Sequence, residues 1–110
     1  DKYTVLELDT LRILPSGTVT TAYAIVEGVP IEDLPKLSFQ QDLHKNLMEN
    51  YRKRDWNFCE QAIENLVGAF GSELDTFYAE IQSRIKNYKE NDPGESWDWA
   101  IEKTIATNSP

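Results

Sequence analysis

The chain has 110 residues, enough for one domain whose core needs no covalent staple, since a chain of this length buries roughly 65% of the surface its unfolded form exposes. Apolar residues at 40% and aromatics at 11% argue for a folded protein and against a disordered one. With 19 acidic residues against 11 basic, the net charge of −8 repels phosphate backbones and anionic headgroups, which argues against nucleic acid and membrane surfaces as partners.

The single cysteine, Cys59, has no internal disulfide partner, and no Asn-x-Ser/Thr sequon is present. Both fit a reducing compartment, and with no targeting segment the expectation is cytoplasmic. The longest apolar runs are a few residues, too short to span a bilayer. The chain opens Asp1-Lys2-Tyr3 rather than on methionine, as a processed product or part of something longer does.

Residues 3–14, "YTVLELDTLRIL", are rich in β-branched and large apolar types. Their alternation slips: Val5, Leu11 and Ile13 share a parity with Glu7 and Asp9, while Leu6 and Leu8 take the other. A bulge near Asp9-Thr10 repairs the phase. Pro15-Ser16-Gly17 reads as a short hairpin loop. Residues 18–27 then alternate cleanly, with Val19, Thr21, Tyr23 and Ile25 on one face and Thr20, Ala22 and Ala24 on the other. A β-hairpin over 3–27 is expected.

Gly28, Pro30 and Pro35 argue for an ordered crossover over 28–37 that tucks Val29, Ile31, Leu34 and Leu37 into the core. Ser38 then caps a first helix over about 38–52, carrying Leu43, Leu47 and Tyr51 four apart. A break at Lys53 to Asp55 leads into a second helix over about 55–70, with Cys59, Ala62, Ile63 and Leu66 as its buried stripe. Ser72, Glu73 and Asp75 open a third over about 73–90, where Leu74, Phe77, Tyr78, Ile81, Ile85 and Tyr88 recur at three and four. The tail 97–106 fits two templates. Trp97, Trp99, Ile101 and Ile105 share a strand parity, and Trp97, Ile101 and Ile105 satisfy a helix. A strand is favoured because a two-stranded hairpin alone is marginal in water. The whole reads as one α+β domain, 1–110.

Residues 43–66 resemble one tetratricopeptide-type helical hairpin, through Tyr51, Trp56 after Asp55, small Cys59, Ile63 and Leu66. A small residue there permits close helix crossing while the aromatic wedges between the helices. Leu47 stands where that family has glycine, Asn46 where it has leucine, and no second copy follows, so the resemblance implies a lone hairpin rather than an array. The span from about 47 to 101 also resembles the helical C-terminal tail of some bacterial class III nucleotide cyclases, through "YRKRDW" and the exit from Pro93 to Asp98. The cyclase catalytic domain itself has no counterpart here, so this resemblance implies no activity.

Catalytic constellations are missing. Cys59 sits on an apolar stripe where cysteine behaves as a small hydrophobe, and His44, the only histidine, is its one conceivable base. One cysteine and one histidine do not make a zinc set, and no hard-metal loop or phosphate-cradling glycine motif occurs, so no cofactor or metal is expected. Glu7 and Asp9 at strand spacing read as solvated edge charges rather than an acid/base pair. Arg52-Lys53-Arg54 complements the carbonyl end of the first helix, making that stretch an elbow.

The expectation is therefore a non-catalytic protein–protein interaction module, not an enzyme. Two alternatives stand beside it: a self-associating homodimer subunit, and a small-ligand-binding or enzymatic domain. The candidate contact residues are the aromatics Trp97, Trp99, Tyr78, Tyr88, Tyr51 and Trp56, which exceed what one small core needs.

Overall fold

A computed structural model describes residues 3–27 and 31–104. The protein is α+β. Strands β1 (Tyr3–Leu14) and β2 (Thr18–Glu27) are followed by helices α1 (Leu34–Arg52), α2 (Trp56–Leu66) and α3 (Asp75–Glu90), then by a short strand β3 (Ile101–Thr104). The sheet order is β2-β1-β3, with β2 antiparallel and β3 parallel to β1.

The hairpin register explains the slipped alternation. Glu7 pairs with Tyr23 and Thr10 with Thr21, so β1 advances three residues where β2 advances two. That single extra residue is a bulge, and it returns Leu11 and Ile13 to the face of Leu6 and Leu8. Gly17 takes positive φ (79°) in the connecting turn, as a residue without Cβ does at no steric cost.

Helix α1 starts at Leu34, four residues before the expected Ser38. Pro35 lies in its first turn, where the missing N–H is one that the helix leaves unbonded anyway, so it opens the helix instead of excluding it. Leu34 is correspondingly exposed and only Leu37 packs against the core. The expected burial of Val29, and of the Ile31 side chain, lies outside the described residues. Helix α2 begins after Asp55, whose carboxylate accepts the Phe58 N–H at 3.2 Å. It ends at Leu66 rather than Phe70, because Val67 turns extended and Gly68 left-handed at φ 88°. A tight turn over Ala69–Ser72 follows, with Phe70, Gly71 and Ser72 all at positive φ. Asp75, the first residue of α3, accepts the Gly68 N–H at 2.8 Å and so closes that loop.

The core lies where one face of the hairpin meets the three helices. Leu6 and Val26 come from the sheet, Leu47 and Tyr51 from α1, Ile63 and Leu66 from α2, and Ile81 and Ile85 from α3. Each such aliphatic side chain, fully withdrawn from water, contributes about 1.5–3 kcal/mol. The sheet's other face is largely uncovered among the described residues, with Arg52 of α1 reaching it only at Glu7. Tyr3, Val5, Val19, Tyr23 and Ile25 are all more than half exposed, Ile25 most at 66%. The cleanly alternating face of β2 thus turns its larger side chains outward and its small ones toward the helices.

The tail resolves as a strand of four residues. Leu11 pairs with Ile101 and Leu14 with Thr104. Trp97 and Trp99 precede it in irregular backbone, with Trp99 at φ 57°, so the two tryptophans do not share a strand face. Ile105 lies outside the described residues.

Candidate functional site

Five of the six candidate aromatics meet in one cluster. The Trp97 ring lies 5.4 Å from Tyr51, 5.7 Å from Trp56, 5.3 Å from Tyr88 and 6.3 Å from Trp99, in edge-on or near edge-on geometry. The end of α1, the start of α2, the end of α3 and the segment entering β3 converge there. Such pairs are worth about 0.5–1.5 kcal/mol each beyond their area. Arg54, at the elbow between α1 and α2, places its guanidinium 5.2 Å from the Trp97 ring centre. It also ion-pairs with Asp92 and donates to the Gly94 carbonyl. The cluster fastens the elbow to the C-terminal segment. Tyr51 is buried, while Trp56, Tyr88, Trp97 and Trp99 are half-buried.

Tyr78, the sixth, stands apart and is fully buried, so it offers a partner no surface. Its hydroxyl lies 2.8 Å from His44 Nδ1, and His44 Nε2 lies 2.7 Å from the Glu7 carbonyl. A carbonyl only accepts, so Nε2 carries the proton and Nδ1 accepts from Tyr78. Burial pushes the His44 pKa down, against the pull of the Glu7 carbonyl and carboxylate. The ring is neutral with both nitrogens engaged, and has none left for Cys59. Burial likewise pushes the Cys59 thiol up to about 12, helped by Asp55 and Glu60. Cys59 is fully buried beneath the Leu47 carbonyl, a packing position rather than a nucleophile's.

The paired carboxylates of β1 have also found cations. Glu7 bonds Arg52 at 2.6 Å, so the first cation of the basic triplet reaches the sheet. Asp9, within the bulge, takes both arms of the Arg84 guanidinium at 2.8 and 3.1 Å. It is therefore largely covered and not the solvated edge charge its position in the sequence implies. Burial opposes charge on Arg84, yet the Asp9 bonds outweigh it and raise the Arg84 pKa. Beside this pair the buried Tyr51 hydroxyl approaches Arg84 without reaching hydrogen-bond geometry, and burial raises its pKa.

No known protein family, curated protein or solved structure matches this chain.

Two surfaces among the described residues bear most on ligand binding. One is a cleft of about 390 Å³ between β1 and α1, lined by Val5, Leu6, Glu7, Asp42, Met48 and Arg52 among others. Its size suits a small molecule. Of its polar groups Arg52 is paired with Glu7 and His44 with Tyr78, while Asp42, Lys45 and Glu49 line it without an ion pair among the described residues. Among the described residues no three metal-ligating side chains stand together, and no helix is long and apolar enough to cross a membrane. The other surface is the uncovered face of the hairpin. Tyr3, Val5, Tyr23 and Ile25 stand side by side there, Val5 directly across from Ile25, with Glu7 and Glu27 on the same face. Sequence reasoning read the alternation but missed this surface, because alternation fixes which residues share a face and not which face the helices cover.

Proposed function

We propose that this chain is a non-catalytic protein–protein interaction module that docks its partner on the uncovered face of the hairpin. The observation that carries the reading is the contiguous row of Tyr3, Val5, Tyr23 and Ile25, each more than half exposed, whereas the other aromatics among the described residues are buried wholly or in part, except Phe39 of α1. Large apolar side chains left in water side by side are the usual mark of a contact surface. Glu27 flanks the row and the chain carries a net charge of −8, so the partner brings an apolar patch with a basic rim, and is neither nucleic acid nor an anionic membrane. The tetratricopeptide-like hairpin over 43–66 supports a binding role. A lone buried thiol and the absence of sequons support a cytoplasmic setting.

The test is a photo-crosslinking residue at Tyr23, compared with one at Lys86 on the exposed side of α3, in the native host. A protein captured from Tyr23 only, and lost when Val5→Lys is added, supports the reading. Equal capture from both positions, or capture indifferent to Val5→Lys, removes it. Both positions are exposed, so the substitutions shift stability by only about 0.5 kcal/mol.

A further inference from the structure

Strand β2 is an edge strand of ten residues whose first nine, Thr18 to Val26, contain no charge, no proline and no glycine. Long edges are normally blunted by lysines, prolines or bulges, because an open row of N–H and C=O groups recruits another strand. The bulge of this hairpin lies on β1, leaving β2 regular, and the other edge of the sheet is covered by β3 along Leu11–Leu14. The backbone phase of the open edge follows from His44. The Glu7 carbonyl turns toward His44 Nε2, away from β2, so Glu7 and Tyr23 form a pair whose amides point away from each other. Alternation along β2 then directs the N–H and C=O groups of Val19, Thr21, Tyr23 and Ile25 outward, at the edge left unpaired among the described residues.

We propose that this edge pairs antiparallel with the same strand of a second copy, making a six-stranded sheet of order β3-β1-β2-β2-β1-β3 about a two-fold axis. The strand is self-complementary in charge. With the axis at Ala22, Ile25 meets the second copy's Val19 and Tyr23 meets its Thr21. Each Glu27, the only charge in β2, then falls beyond the end of the partner strand, opposite Gly17. No like charges oppose each other along the ladder, so the net charge of −8 acts only at longer range, where about 0.15 M salt screens it beyond about 8 Å. The same axis keeps both helical layers on one side and joins the two uncovered faces on the other. The inference deepens the docking reading, since it doubles the surface that reading uses, but it rests on the backbone edge rather than on the outward side chains.

Sedimentation equilibrium over about two decades of concentration measures the association directly. Hydrogen exchange on the same wild-type samples locates it without any variant. The expected result is a monomer–dimer equilibrium in which amide protection at Val19, Thr21, Tyr23 and Ile25 rises with concentration. Thr21→Pro removes one outward N–H at the edge and is expected to leave a monomer with an unchanged far-UV spectrum, while Val5→Lys, on β1, leaves the dimer intact. A wild-type chain that stays monomeric throughout overturns the edge pairing and leaves the docking face standing. A dimer abolished by Val5→Lys but indifferent to Thr21→Pro, with no added protection along β2, also overturns it, because the copies then meet face to face.

Discussion

His44 shows how one polar side chain can hold together parts of the chain far apart in sequence. It joins α1 to the Glu7 carbonyl of β1 and to the Tyr78 hydroxyl of α3, and leucine in its place strands both partners in the core. His44→Leu is therefore expected to cost about 2–4 kcal/mol, read from urea unfolding midpoints. The sign of its pH effect follows from its lowered pKa. The unfolded chain takes up a proton near pH 6.5 while the folded ring stays neutral, so its contribution is full above about pH 6.5 and declines as pH falls through that value. His44→Gln, which has no proton to take up, is expected to flatten the stability profile between pH 7.5 and 5.5. An unchanged slope assigns the pH dependence elsewhere. Cys59 gives a second residue-scale expectation. With its thiol pushed up to about 12 and its side chain fully buried, it is expected to react with a disulfide reagent at pH 8 only after denaturant is added. Prompt reaction in the native protein contradicts its burial.

The bulge of β1 is the element on which the sheet and helices agree. It restores the apolar phase of Leu11 and Ile13, and it swings Asp9 onto Arg84 of α3. Truncating one partner of a well-covered pair leaves the other charge unsatisfied. Because both side chains keep some solvent, Arg84→Met is expected to cost about 2 kcal/mol rather than the full penalty of a buried charge, and Asp9→Asn in the same chain to recover part of it. A double-mutant cycle in urea gives the coupling, and strictly additive losses mean that the pair contributes nothing as a unit. The bulge was legible in the sequence because Leu6, Leu8, Leu11 and Ile13 cannot share a face without it. So was the elbow at Lys53–Asp55, where the leucine spacing ends and an acidic cap begins. The start of α1 was not, because Pro35 reads as a breaker until it is known to lie in the first turn. The aromatic cluster was half legible. The residues were identifiable by type, but only the return of the chain past α3 folds Trp97 onto Tyr51 and Trp56 instead of leaving it for a partner.

At the scale of the molecule the dominant fact is charge. The described residues hold seven close ion pairs, yet the chain keeps a net charge of −8 and repels itself when folded. Its melting temperature is accordingly expected to rise between about 10 mM and about 0.5 M sodium chloride, as the Debye length falls and the repulsion among carboxylates is screened. A fall over that range, followed by differential scanning calorimetry, indicates that the surface pairs outweigh the repulsion. The sheet topology adds a mechanical property. β1 and β3 lie side by side and run parallel, with four residue pairs from Leu11–Ile101 to Leu14–Thr104. A pull applied upstream of Tyr3 and downstream of Thr104 drags the two strands past each other along their length. All the hydrogen bonds between them then bear load together, instead of parting one at a time as a hairpin does when it is peeled open. Arg12, ion-paired to Asp98 and Glu102, and Arg54, gripping Asp92 and Trp97, tie down the segment that enters that ladder. A chain held under tension from both sides would thus resist through its shortest strand.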